Sequence, residues 1–419
     1  MDLNAVSAAQ PLRDDVPAQA PRSGSVLPGT LITMLAALAA LAPLGIDMYL
    51  PAFPAMAVEF GTSASAIQLT LTAFLIGLAV GQLIFGPMSD RFGRRRLLLA
   101  GTLVCVLATG ACAWAPSIEL LTVFRFVQGF TGAAGIVLSR AVISDRAHGK
   151  TAAKMFSLLI VINAVAPVIA PLLGGTLIGF IGWRGVFCVL GAIAAVTFLG
   201  VLAWVPESHP RERRTSGGFP ALARDARDVL GNRRYLGFTL AYAFSFAVMF
   251  AYISASPFVL QNVHGLSTTW YTVAFTCNAV GLVVVSGINA KLVERIDERK
   301  LLRLGVALLV IFSAVMLINA LIGPVLWVTL VVLWCTVASL GLVIANATTL
   351  AIGEARNAVG TGSAVLGALQ YGFAALVSPI VGVGGEHTAA PMAVTMIISA
   401  AVAAVALVLA GSRSAESTV

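Results

Sequence analysis

The chain has 419 residues, of which 59% are hydrophobic and only 11% charged, with a formal net charge of +8. A soluble domain carries about 25% charged residues, so a water-facing globule is excluded and lipid must solvate much of the apolar surface. The positive balance is no nucleic-acid signal, because the basic residues sit in short loops between apolar runs, as expected for segments held on the cytoplasmic side of a membrane.

Residues 1–27 are rich in proline, alanine and charge and read as a disordered cytoplasmic tail. No basic stretch there abuts a short apolar run with a cleavage site, so a cleaved signal peptide is not expected. Apolar stretches of about 20 residues then recur, each long enough to cross about 30 Å of hydrocarbon. They fall near 29–52, 65–87, 97–115, 118–143, 153–180, 185–204, 235–260, 269–290, 302–321, 324–348, 359–382 and 391–411. An even number of spans, about twelve, puts both termini on one side.

The first span holds Asp47, between Pro43 and Pro51. A carboxylate in hydrocarbon costs several kcal/mol unless it lines a wet cavity or is paired, so Asp47 reads as a proton- or substrate-binding group. The second span holds Gly77 and Gly81, spaced for close helix packing, as are Gly175 and Gly179 in the fifth. After the second span comes a loop with Gly86, Asp90, Arg91, Gly93, Arg94, Arg95 and Arg96. The fourth span carries Arg125, Gln128 and Arg140 and ends at Asp145, the nearest expected partner for the loop arginines. Asp47 and Arg125 each lie about 10 Å inside the external boundary, counting 1.5 Å per residue. That depth permits a contact. Burial disfavours an ionised carboxylate and a nearby guanidinium favours it, so such a pair suits a group that exchanges protons as a cavity changes sides.

Lys and Arg recur after the fourth span (Arg146, Lys150, Lys154) and after the eighth (Lys291, Arg295, Arg299, Lys300, Arg303), while the alternate loops hold only Arg184. Cytoplasmic termini follow. The longest polar break, 206–234, divides the chain into a first bundle, 28–205, and a second, 235–411, leaving a tail at 412–419. The stretch from Gly287 to Leu302 echoes that from Gly86 to Leu98, a degenerate internal repeat. Two parallel halves with a site between them is a transporter architecture. Candidate cavity residues are Asp47, Tyr49, Arg125, Gln128, Asn163, Met249, Tyr252, Asn278, Asn346 and Gln370. The five cysteines lie in apolar segments without ligand spacing, so no metal is expected. No phosphate loop is present, and His148, His209, His264 and His387 lie in or beside loops. Neither ATP nor enzyme chemistry is indicated.

Gly86, Asp90, Arg91, Gly93, Arg94 and Arg95 resemble the signature loop of the major facilitator superfamily, and Arg125-Phe-Val-Gln-Gly129 resembles its fourth-span motif. Pro167, Pro171, Gly174 and Gly175 resemble the fifth-span motif of drug:proton antiporters, with Ala166 where glycine is common. The segments Asp47–Pro51, Gln68–Leu71 and Ser256–Gln261 resemble the bicyclomycin/chloramphenicol resistance group. The resemblance implies an all-α membrane protein with about twelve transmembrane helices in two pseudo-symmetric six-helix bundles. It implies a monomer in a bacterial inner membrane that exports small, mostly neutral amphipathic drugs against protons, without a cofactor. It further implies gating by the signature loop with Asp145, and proton coupling by Asp47 and Arg125. A metabolite exporter or proton symporter of the same fold is the alternative.

Overall fold

A computed structural model describes residues 29–214, 218–355 and 358–411; the N-terminal tail expected to be disordered and the C-terminal tail lie outside the described residues. The chain is helical throughout them. The helices are α1 (Gly29–Asp47), α2 (Phe53–Phe60), α3 (Ala64–Phe92), α4 (Arg94–Ala113), α5 (Ile118–Arg146), α6 (Gly149–Trp204), α7 (Gly218–Gly231), α8 (Arg233–Phe258), α9 (Thr268–Leu292), α10 (Glu298–Ile322), α11 (Leu326–Glu354), α12 (Val359–Ile380) and α13 (Ala390–Gly411). Serines start several of them: the side chains of Ser63, Ser117 and Ser267 accept from backbone N–H groups in the first turns of α3, α5 and α9.

Among the described residues, eleven segments are long and apolar enough to cross a membrane, and one of these is α6, 56 residues long. As a straight helix α6 would reach about 84 Å, far beyond a bilayer. Gly182 breaks it, with φ 65° and ψ 179°, a conformation that only glycine adopts freely. The two arms of α6 are therefore separate crossings, and the expected twelve spans are present. Bulky apolar side chains such as Leu107, Phe180 and Leu321 face outward along the spans. Exposed Trp114, Trp270 and Trp327 mark one end of the bundle and Trp204 the other, as interfacial tryptophans do.

α3 packs tightly on α5, and α8 on α13. The two halves meet mainly where α3 lies on α12 and where α6 lies on α9. The second and fifth spans of one half thus touch the fifth and second of the other, the pairing that a two-fold relation between repeats requires. Every side-chain hydrogen bond between the halves, among the described residues, lies at the end opposite the arginine loops. Gln68 Nε2 donates to the Ser254 carbonyl at 3.0 Å, Ser378 Oγ to the Gln68 carbonyl at 3.4 Å, and Gln261 Nε2 to the Pro51 carbonyl at 3.2 Å. That end is closed. The polar break between the halves is not merely loop: it contains α7, which touches α3, α8 and α12.

Candidate functional site

The first span differs from a single helix running through residue 52. Pro51 has no N–H, and in a continuous helix its ring would collide with the carbonyl four residues back, that of Asp47. α1 accordingly ends at Asp47, a 3-10 turn covers Leu50–Ala52, and α2 resumes at Phe53. Broken spans of this kind line transporter sites. Asp47 is 3% exposed, and its Oδ1 has no hydrogen-bond partner. No ion pair reaches it among the described residues. The 3-10 turn that follows it touches α8 and α9 of the second half.

Arg125 is fully buried inside the first half, with its guanidinium 4.4 Å from the Tyr49 ring centroid, 4.2 Å from that of Phe74 and 5.6 Å from that of Phe187. Its Nη1 donates to Gln128 Oε1 at 2.6 Å, and Gln128 Nε2 donates to Thr109 Oγ1 at 2.9 Å. Tyr49 Oη lies 3.2 Å from Thr70 Oγ1. Cation–π contact with three rings is favourable in a desolvated setting, yet Nε and Nη2 have no acceptor. Matching depth along the helices therefore does not make Asp47 and Arg125 an ion pair here. Tyr49 and Gln128 belong to the Arg125 cage rather than to an open cavity. The void beside Gln128 measures only about 10 Å³, near the space one water needs, so it admits no drug-sized solute.

The glycines of α6 hold this arrangement. A side chain at Gly174 would strike the Met48 carbonyl, next to Asp47, and one at Gly175 would strike Thr272 of α9 in the second half. Pro167 and Pro171 lie two turns and one turn before them in the same arm. Gly174→Ala is expected to cost about 1–3 kcal/mol through overpacking, read as a lower unfolding midpoint. Gly175→Ala is expected to wedge the halves apart, lengthening the distance between spin labels at exposed Val58 and Val383. An unchanged midpoint and distance would show that these crossings tolerate a methyl group.

The loop arginines form a cluster at the opposite end. α3 runs through Phe92, so Gly86 is helical and the turn is at Gly93, φ 93°. Arg94 pairs with Asp90 at 2.7 Å and with Asp145 at 3.2 Å, and it also bonds Ser89 Oγ. Its backbone N–H donates to Glu207 Oε1 at 2.9 Å, and Ser208 Oγ donates to Asp145 Oδ2 at 2.8 Å. Arg95 donates to the carbonyls of Leu202 and Val205, each at 2.8 Å. Arg91 lies over Phe92, 5.3 Å from its ring. None of these ion pairs reaches the second half.

The comparisons with known proteins decide the family. The Major Facilitator Superfamily profile matches residues 35–379. The chain belongs to the major facilitator superfamily. It is 38% identical over 378 residues to an uncharacterised MFS-type transporter, YdgK, of Bacillus subtilis, covering 90% of this chain and 94% of that one. It is 29% identical over 386 residues to a bicyclomycin resistance protein homolog of Haemophilus influenzae, covering 92% and 97%. Relatives named for bicyclomycin or chloramphenicol resistance or multidrug transport support the bicyclomycin/chloramphenicol drug antiporter group. Among solved structures, a D-xylose-proton symporter shares the fold, with a TM-score of 0.72 at 16% identity over 91% of this chain and 97% of that one.

Within this superfamily fold the remaining polar residues divide into pairs and singles. Asn278 Nδ2 donates to Tyr252 Oη at 2.9 Å, joining α9 to α8, and Asn346 Nδ2 donates to Asn289 Oδ1 at 2.7 Å, joining α11 to α9. Both pairs hold helices of the second half together. Asn163 is exposed on α6 and bonds back to the Leu159 carbonyl at 2.8 Å. Met249 and Gln370 are half-buried. Residues that sequence reasoning left out of the site are Glu207 and Ser208, which complete the arginine cluster, and Arg140, exposed on α5 within electrostatic reach of Tyr242 and Tyr371. A charge inside a span was the available signal for Arg140. Glu207, 113 positions from Arg94, offered no signal beyond lying in the polar break.

Proposed function

We propose that the chain is a proton-driven exporter of small, mostly neutral amphipathic compounds, of the bicyclomycin or chloramphenicol type, working by alternating access in a bacterial inner membrane with both termini cytoplasmic. The observation that carries this reading is Asp47: buried, without a partner, at a helix break between the halves. An ionised carboxylate without a partner is costly in such a place, and it lies at the negative end of α1. Taking a proton from one side and losing it to the other as the halves rock couples the gradient to that cost.

Charge supports the substrate class. No carboxylate other than Asp47 lies well inside a span, so nothing there offers the second negative charge that a dication would want. Tyr242, Phe246, Phe250 and Tyr371 supply an aromatic wall, with Phe246 5.7 Å from Tyr371 and 5.0 Å from Phe250. The relatives named for bicyclomycin or chloramphenicol resistance point the same way. The test is drug susceptibility of a hypersensitive bacterium expressing the chain, across neutral and cationic antibiotics. Protection confined to neutral compounds is expected. Protection against none, with the protein in the membrane, would overturn the reading.

In this reading the arginine cluster gates the cytoplasmic side. Asp90 and Asp145 of its own half neutralise Arg94, and Glu207 accepts from its backbone N–H, which presents the α3–α4 turn in one fixed shape. A charge-assisted hydrogen bond is worth about 1.5–3 kcal/mol. Asp90→Asn and Arg94→Ala are therefore expected to slow turnover about tenfold or more, with substrate affinity nearly unchanged because neither residue approaches Asp47. Equal losses in affinity and turnover, measured in proteoliposomes, would indicate a general folding defect instead.

A further inference from the structure

The second arginine loop is built like the first but is not neutralised like it. In the first half, Arg94 has Asp90 and Asp145, and in the break that follows it Arg214 has Glu207 at 3.8 Å. In the second half, the carboxylate at the matching end of α11, Glu354, is taken up by Arg234 at 3.8 Å. Arg299 and Arg303, four residues apart on one face of the first turns of α10, have no ion-pair partner among the described residues. Asp297 caps the same helix by accepting from the Arg299 backbone N–H at 2.8 Å, so its side chain serves the backbone.

These two guanidinium groups line one groove with Phe238 of α8 and Leu407, Ala410 and Gly411 of α13. Arg299 stands 6.0 Å from the Phe238 ring centroid. Phe238, Leu407 and Ala410 are buried and form an apolar floor. The groove opens where α8 and α10 begin and α13 ends, the level of lipid headgroups on the arginine-loop side. Its free volume of about 50 Å³ suits a phosphate group, whereas drug-sized ligands occupy pockets of about 300–1,000 Å³.

We propose that this groove binds the headgroup phosphate of an anionic phospholipid, with Arg299 and Arg303 on its oxygens and the acyl chains in the surrounding bilayer. Guanidinium forks match phosphate geometry, and basic pockets between spans at the headgroup level are suited to such lipids. The lipid supplies the counter-charge that a protein carboxylate supplies in the first half. This site is independent of what the protein transports.

The test titrates delipidated full-length protein in neutral detergent with phosphatidylglycerol, phosphatidylcholine or inorganic phosphate, following the unfolding midpoint. Phosphatidylglycerol is expected to raise the midpoint and the other two are not. R299Q/R303Q should need about tenfold more phosphatidylglycerol for the same rise, R299K/R303K should fall between it and the parent because lysine keeps the charge without the fork, and R224Q/R227Q on α7 should behave as the parent. The proposal is overturned by an unchanged titration for R299Q/R303Q, or by an equal loss in R224Q/R227Q. An equal rise with phosphatidylcholine would also overturn it, and a full rise with inorganic phosphate would assign the groove to free anions instead.

Discussion

Asp47→Asn is expected to abolish concentrative efflux while leaving the protein folded and in the membrane. One proton moving through about 100 mV is worth about 2.3 kcal/mol, or about a fiftyfold concentration ratio for a coupled solute. A variant that cannot ionise at residue 47 loses that ratio and only equilibrates its substrate. The amide is isosteric and the buried site offers the carboxylate no hydrogen bond at Oδ1, so folding does not depend on the charge. The check is drug accumulation in proteoliposomes with an imposed proton gradient, next to downhill exchange without one. Gradient-driven accumulation by the Asn variant equal to the parent's would remove Asp47 from coupling.

Arg125 is the second residue with a large expected effect, and here volume and charge separate. Arg125→Ala empties a fully buried site beneath Tyr49, Phe74 and Phe187 and should cost about 3 kcal/mol or more, in line with truncation of large core side chains. Arg125→Met keeps most of the volume and removes a buried charge, an exchange that is often neutral for stability. In the proposed exporter, the unpartnered Nε and Nη2 gain an acceptor in another state of the transport cycle. Arg125→Met should therefore fold normally yet turn over roughly ten- to hundredfold more slowly, the worth of one charge-assisted hydrogen bond. Arg125→Lys should recover part of the loss, since it keeps the charge without the planar fork. A stable Met variant with parental turnover would make Arg125 a packing residue only.

Hydropathy resolves the span count because each crossing needs about 20 apolar residues whatever its neighbours, and even the divided α6 is legible as two runs around Gly182. The helix break at Asp47 was also accessible, since Pro51 forbids the bond to the carbonyl of residue 47; reading the first span by hydropathy alone hides it. The Asp47–Arg125 relation was not accessible. Depth along a helix is one coordinate, and the missing one, rotation about the helix axis, puts Arg125 among the rings of its own half and leaves Asp47 outside that cage. Arg94 with Asp145 could be anticipated because both residues end adjacent spans. Glu207 could not, because its approach to Arg94 depends on where the segment after α6 folds back. α7 escaped notice because it is short and polar, lying within the break that separates the halves.

Proton release on substrate binding tests the central claim most directly. Purified protein in weakly buffered detergent solution, mixed with chloramphenicol as the probe, is expected to release about one proton per drug bound at a pH where Asp47 begins protonated. Asp47→Asn is expected to bind the drug and release none. Equal release from the Asn variant, or binding by the parent with no release at any pH, would contradict the assignment of Asp47 as the group at which proton and substrate compete.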